Sequence, residues 1–152
     1  MTELERDSRR MVESIGLDFD GILSELRAKD PSVGPRDVEW AALNRWVIDA
    51  LHTGDWKATS WRYLTQAKFL RREGRQFLDV AREAARADLR DAAARGRRLD
   101  VPVRISFGRK CCDVCTSDEG RVVDVADELR FPTLPHTACP RGLCWCQYFP
   151  AV

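Results

Sequence analysis

The chain has 152 residues, of which 44% are hydrophobic and 32% charged, and its formal net charge at pH 7 is +1. These values are ordinary for a globular protein that buries a core of its own. No stretch approaches the roughly 18 consecutive apolar residues of a membrane span, and the charged start "MTELERDSRR" lacks the apolar run of a signal peptide. We therefore expect a soluble, cytoplasmic protein that does not bind membranes.

Charge is distributed unevenly along the chain. Residues 1–56 hold seven basic and twelve acidic side chains, whereas residues 57–98 hold twelve basic and five acidic ones. This asymmetry is typical of a nucleic-acid or membrane face, and equally of two parts of one fold that attract each other. Both interpretations stay open from the sequence.

The first two thirds of the chain are predicted to be helical, because apolar residues recur there at spacings of three and four. The first segment covers 3–28 with a break near Gly16, and Pro35 suits the first turn of the next helix. Asp55 opens a third helix that ends near Gly74. A fourth helix follows, and its apolar stripe is Leu78, Ala81, Ala85, Leu89 and Ala92.

The remaining third has the signals of short strands. "VPVRISF" (101–107) alternates β-branched and polar residues, and Pro102 favours an edge position in a sheet. "RVVDV" and "CWCQYFPAV" are two further strand candidates, and "VADELRF" predicts one or two helical turns. The predicted fold class is therefore α+β, with a helical bundle over 1–98 and a small β-rich unit over 99–152.

All six cysteines lie in this β-rich unit, in the pattern C-C-x2-C followed by C-x4-C-x-C. Zinc prefers four tetrahedral thiolate or imidazole ligands, and a C-x2-C turn presents two thiolates to one ion. The spacing predicts one structural zinc in a knuckle-like or ribbon-like unit, with Cys111 as a spare thiol. The preferred ligands are Cys112, Cys115, Cys139 and Cys144, with His136 and Cys146 as alternates.

Three other uses of these cysteines remain open. Six thiols can form three disulfides, although such frameworks belong to exported chains. A thioredoxin-like C-x-x-C requires a βαβ setting, which the helices and single strand before Cys112 do not provide. A catalytic zinc requires an open coordination position and a nearby acid or base, for which His136 and Glu119 are the candidates.

Residues 101–152 resemble the C-terminal part of the Mu-F-like phage head morphogenesis (minor head) proteins. The resemblance is carried by "CDVC", "DEGRVVDV", "LPHTAC" and "CWCQYFPAV", and "FLRREGRQFLDVAREAARADL" is similar to small bacterial proteins that share this tail. The chain departs from the pattern at Glu119, inside a D-G pair, and at "PRGL" before Cys144. The long portal-binding region expected of a full minor head protein is not in this sequence. The resemblance implies a helical segment docked on a zinc-knuckle-like β unit.

The expected function is therefore that of a non-enzymatic, zinc-stabilised structural or protein-interaction module, phage-derived or phage-related. No nucleophile elbow, phosphate-binding glycine loop or H-E-x-x-H motif occurs in the chain. Trp61 is expected at a helix contact or an interface, and Trp145 over the metal or a partner surface. The alternative is a nucleic-acid-binding regulator, and its phosphate contacts would be Arg71, Arg72, Arg75, Arg82 and Arg86.

Overall fold

The computed structural model describes residues 1–107 and 112–151 and shows an α+β protein, mostly helical, with a small antiparallel sheet near the C-terminal end. Cys111, predicted to be a spare thiol, lies outside the described residues. The helices are α1 (Glu3–Ser14), α2 (Phe19–Arg27), α3 (Pro35–Thr53), α4 (Trp56–Arg72), α5 (Leu78–Arg97), α6 (Asp113–Ser117) and α7 (Val125–Arg130). The strands are β1 (Val103–Ser106), β2 (Val122–Val123) and β3 (Gln147–Pro150).

Local sequence signals account for the helix ends. The break between α1 and α2 falls at Gly16, whose φ of 80° is readily adopted by glycine. Helix α3 begins at Pro35, and the side chain of Asp55 accepts a hydrogen bond from the backbone N–H of Ala58 at the start of α4. These boundaries confirm the predicted ones. None of the described helices is both long and apolar enough to cross a membrane.

The chain divides into two compact units, unit 1 (Met1–Thr53) and unit 2 (Gly54–Val152). This division does not coincide with the predicted boundary between residues 98 and 99, because α5 packs against β1, β3 and α7. The helix with the predicted alanine stripe thus covers the sheet. Ala85, Leu89 and Ala92 lie in one core with the strands, and small side chains on α5 let the helix approach closely.

Unit 1 has a core of its own, built where α1, α2 and α3 meet. Val12, Phe19 and Val38 are almost fully buried there. Beside them the buried carboxylate of Glu39 accepts hydrogen bonds from Ser8 (2.9 Å) and Arg36 (2.7 Å), which satisfies a charge that would otherwise be costly to bury.

The sheet of unit 2 has the order β2-β1-β3, with both pairs antiparallel. The predicted edge position of the first strand is wrong, since β1 is central. Pro102 stands just before β1, so its missing N–H removes no bond from the ladder. Within β1, Val103 and Ile105 point into the core and pair with Pro150 and Tyr148 of β3 respectively.

A buried polar contact attaches α7 to the sheet. The Tyr148 hydroxyl donates to Glu128 Oε1 at 2.5 Å, and the backbone N–H of Thr133 donates to the same oxygen at 2.6 Å. The segment that leaves α7 is therefore anchored at its first residues. It continues over residues 134–146 before it enters β3, and it contains four of the predicted ligands.

Candidate metal centre

Helix α6 brings the first two thiols together. Cys112 is its N-terminal cap residue and Cys115 lies one turn later, so both side chains are on the same side of the helix. Their Sγ atoms are 3.6 Å apart. Cys115 is buried, whereas Cys112 is half-buried.

The segment 134–146 supplies the remaining candidate ligands by turning back on itself. The backbone N–H of Cys139 donates to the carbonyl of His136, and that of Gly142 to the carbonyl of Cys139. Gly142 has a φ of 73°, which suits this turn to glycine. The second turn directs the chain toward Cys144, whose Sγ accepts the backbone N–H of His136 at 3.3 Å.

One group of four side chains meets the requirement for a metal site. The ligand atoms of Cys115, His136, Cys144 and Cys146 all lie within 4.8 Å of one another. Three of these side chains are buried and Cys144 is half-buried. They therefore lie close enough to bind a metal ion, and we call them the first group.

His136 is oriented as a metal-ligating histidine would be. Its Nε2 lies 2.7 Å from Asp118 Oδ2, and its ring is 7% exposed. Its Nδ1 is buried and has no hydrogen-bond partner within the described part of the chain. Because an ionised Asp118 accepts the proton on Nε2, Nδ1 keeps a lone pair that is available to a metal ion. A buried nitrogen without a partner is costly unless a metal or another group satisfies it.

Asp118 is itself held in the ionised form. Burial raises the pKa of this carboxyl, but hydrogen bonds from Arg121 (2.9 Å) and His136 outweigh the burial and leave the pKa below its ordinary value. The aspartate and the imidazole with its unpartnered nitrogen supply the protein part of a carboxylate–histidine–metal arrangement. Asp118 was not among the predicted site residues, although its position three residues after Cys115 places it at the end of the same short helix.

A second group consists of three thiols. The Sγ atoms of Cys112, Cys115 and Cys139 lie within 4.8 Å of one another. Backbone N–H groups of Cys115 and Val114 point at Cys112 Sγ, and the first of them is the main reason why the pKa of Cys112 is lowered. Burial raises the pKa of Cys115, and the neighbouring thiols add to this effect.

The four preferred ligands thus do not form a single cluster. Cys112, Cys115 and Cys139 form the second group, whereas Cys144 joins Cys115 in the first. The other two members of the first group are His136 and Cys146, which had been the alternates. None of the five described cysteines forms a disulfide in the structure.

Unit 2 also has an apolar groove of about 360 Å³. Helices α4 and α5 form one wall with Leu64 and Ala81, and the segment 134–147 forms the other with Leu143. Trp61 and Trp145 flank it and are 59% and 64% exposed. The interface expected for Trp61 and the partner surface expected for Trp145 stay predictions.

The charged side chains that line the groove are mostly basic. They are Lys68, Arg71 and Arg141, with Asp88 as the acid among them. Lys68 Nζ lies 5.2 Å from the centroid of the Trp61 ring, within the range of a cation–π interaction. The groove therefore combines an apolar floor with a surplus of positive charge.

Three of the five arginines considered for nucleic-acid binding have acidic partners. Arg86 pairs with Glu83 and also donates to the Leu129 carbonyl at 2.9 Å, and Arg82 lies 3.8 Å from Asp79. Arg72 lies 3.6 Å from Glu73, and Arg71 lines the groove. Arg75 is exposed. These carboxylates offset the positive charge that a phosphate backbone would require.

Comparisons of the chain with protein-family models, with curated proteins and with solved structures found no match. The resemblance of residues 101–152 to head morphogenesis proteins stays a prediction.

Proposed function

We propose that unit 2 is a zinc-stabilised module that binds a protein partner and performs no catalysis. One observation carries this proposal. The segment 134–147 supplies three members of the first group and also forms one wall of the groove, since Cys144 and Cys146 belong to both. An ion held by these side chains would fix the position of the wall and of Trp145 between them.

Zinc is the ion that fits the donor set. Three thiolates and one imidazole are soft or borderline ligands, and tetrahedral sites of this composition are typical of structural zinc. The four side chains of the first group would complete the shell without a water molecule. A closed shell supports a structural role, because a catalytic zinc keeps one position for water or substrate.

A metal is also the natural source of stability for this part of the chain. The described strands contain four, two and four residues. Such a small sheet has few ladder bonds, and the segment 134–146 contains no helix or strand. Binding of zinc to thiolates would stabilise the folded state, since the unfolded chain holds the ligands apart. The zinc-knuckle-like or ribbon-like unit that the resemblance implies would be stabilised in the same way.

The partner that the groove fits is a peptide segment with an aromatic or large aliphatic side chain flanked by acidic residues. The apolar floor accommodates the first, and Lys68, Arg71 and Arg141 attract the second. Exposed tryptophans at both sides of a groove are typical of the residues that dominate binding energy at interfaces. The resemblance to minor head proteins, which are structural, supports a phage-related origin for such a module.

The test uses three synthetic peptides of the same length with the full, zinc-loaded chain. One carries a tryptophan between aspartates, the second replaces the tryptophan by serine, and the third replaces the aspartates by lysines. We expect the first to bind most tightly in fluorescence polarisation, and Trp145→Ala to weaken it at least tenfold, about 1.4 kcal/mol.

The matched control is Phe131→Ala, because Phe131 is 77% exposed but does not line the groove. This variant is expected to bind like the original chain. Equal binding of all three peptides, or equal loss in the Phe131 and Trp145 variants, would contradict the proposal. Labelled duplex DNA and RNA, titrated at low salt in parallel, decide the nucleic-acid alternative, since that binding falls steeply with added salt.

A further inference from the structure

The metal centre contains more ligands than one ion can take. Six side chains with five sulfurs and one free nitrogen fall into the two groups, and Cys115 belongs to both. A tetrahedral zinc binds four of them. If the first group holds an ion, Cys112 and Cys139 are left beside it.

The spacing of the remaining thiols is that of ligands on a common ion. Two thiolates on a tetrahedral zinc, each about 2.3 Å from the metal, have sulfurs about 3.8 Å apart. The Sγ atoms of Cys112 and Cys115 are 3.6 Å apart. Cys139 Sγ lies within 4.8 Å of both, so the three sulfurs are close enough to share one ion.

We propose that Cys112, Cys115 and Cys139 bind a second thiophilic divalent cation, and that Cys115 Sγ bridges the two ions. This inference rests on the zinc site proposed for the first group and extends it to a two-metal cluster. The described residues supply three of the four ligands of the second ion.

The charge balance of the site supports a second ion. One Zn²⁺ with the thiolates of Cys115, Cys144 and Cys146 and a neutral imidazole has a net charge of −1. Two Zn²⁺ with all five thiolates also have a net charge of −1. The second ion therefore adds ligand bonds without adding net charge to a largely buried site.

Binding of the second ion displaces the protons of two thiols. The S–H bonds of Cys112 and Cys139 break, both protons pass to solvent, and each sulfur donates an electron pair to the metal. Cys115 is already a thiolate on the first ion and donates a second lone pair. No electron is transferred, so no oxidant or reductant is needed.

The test titrates the reduced, metal-free full chain with Co²⁺ and with Zn²⁺. Native mass spectrometry counts the ions, the thiolate-to-cobalt absorption band reports the ligands, and a pH-stat records the protons released. We expect two ions per chain. The second equivalent of Co²⁺ should still increase the thiolate-to-cobalt band, and the second equivalent of either metal should release further protons.

Three variants separate the two sites. Cys139→Ser is expected to retain one ion and the stability that it confers, and Cys144→Ser to weaken the first ion. Cys115→Ser is expected to weaken both ions at least tenfold, because only this thiolate is shared. Loss of only one ion in Cys115→Ser would overturn the bridge.

If a variant does not fold, the metal titration of the original chain still tests the proposal. Saturation of the original chain at one ion, with no change in band or proton release beyond one equivalent, would overturn the second site and leave the zinc-stabilised module intact. Binding of no ion at all would overturn both proposals.

Discussion

At the scale of single residues, the most informative side chain lies outside the proposed ligand set. Asp118 accepts from His136 Nε2 at 2.7 Å and from Arg121 at 2.9 Å, so it fixes both the tautomer and the direction of the ring. Without the carboxylate, the proton would no longer be held on Nε2, and Nδ1 would not be kept as the nitrogen with a lone pair for a metal ion. A partner of this kind typically contributes a factor of 10 to 100 to metal affinity.

We therefore predict that Asp118→Ala lowers the zinc affinity of the first group by about 10- to 100-fold. Asp118→Asn should have a smaller effect, since its side-chain carbonyl still accepts from Nε2 but no longer carries charge toward Arg121. Competition with a chelating dye measures both. Asp127→Ala is the control, because it removes an exposed carboxylate from the same unit. Unchanged affinity in Asp118→Ala would show that His136 is not a ligand.

Asp88 is a second informative residue, because its burial makes the stability of the folded state depend on pH. Burial raises the pKa of this carboxyl to about 6, against an opposing hydrogen bond from the backbone N–H of Tyr148 at 2.7 Å. The folded state therefore binds a proton more tightly than the unfolded chain. The contribution of Asp88 to stability is fully present below about pH 4 and is lost as the pH rises toward 6.

We predict that the difference in unfolding free energy between the original chain and Asp88→Asn changes by about 1 kcal/mol between pH 7 and pH 5, in favour of the original chain at pH 5. Urea unfolding in excess zinc at both values measures it. Asn retains an acceptor for Tyr148 N–H. Asp79→Asn is the control, since the Asp79 side chain is 96% exposed. A difference that does not depend on pH would mean that Asp88 is solvated.

At the scale of elements, the junction between α5 and β1 depends on a close approach of two backbones. Gly96 is buried near the end of α5, and a Cβ there would lie 2.8 Å from the carbonyl oxygen of Val101. The N–H of Val101 donates to the Gly96 carbonyl at 3.0 Å, which ties the turn to the helix. A side chain at this position would push the helix away from the strand.

Gly96→Ala is accordingly predicted to destabilise the protein by about 1 kcal/mol, because the clash, of about 1–3 kcal/mol, exceeds the gain in helix propensity. Thermal unfolding of the zinc-loaded chain measures the change. Ala94→Gly is the control. It lies at an exposed position of the same turn, so it measures the difference in helix propensity between alanine and glycine without a clash. A higher melting temperature for Gly96→Ala would contradict the close approach.

The helix starts and the strands were predictable from the sequence, but the order of the strands in the sheet was not. Local signals predicted the helix starts at Pro35 and Asp55 and the three short strands, because caps and alternation act over a few residues. The central position of β1 was not predictable from Pro102, since strand order depends on partners 18 to 47 residues away. That α5 shares a compact unit with the sheet depends on contacts of similar range, whereas the resemblance implied only that a helical segment docks on the β unit.

The metal centre illustrates the same limit. The sequence identified the candidate side chains, because cysteine spacing is a local pattern. It did not divide them into two groups, nor did it show that His136 belongs with Cys144 and Cys146. That division depends on how the segment 134–146 turns, and the bond from His136 N–H to Cys144 Sγ is visible only in three dimensions.

At the scale of the whole molecule, the two units differ in what stabilises them. Unit 1 has an apolar core of Val12, Phe19, Ile22, Val38 and Ala42. In unit 2 the core includes three of the candidate ligands, Cys115, Cys139 and Cys146. Loss of metal would leave these thiols without their common partner inside that core. The dependence on metal should therefore be confined to unit 2.

Hydrogen exchange on the full, zinc-loaded chain, before and after a strong chelator, tests the central claim most directly. We predict that chelation removes protection from residues 112–151 and from β1, while amides of residues 1–53 exchange at unchanged rates, and that the protein contains zinc when purified without added metal. Readdition of zinc should restore the protection. A zinc-free protein with residues 112–151 fully protected, or protection that survives complete removal of zinc, would contradict the claim that a metal holds this unit together.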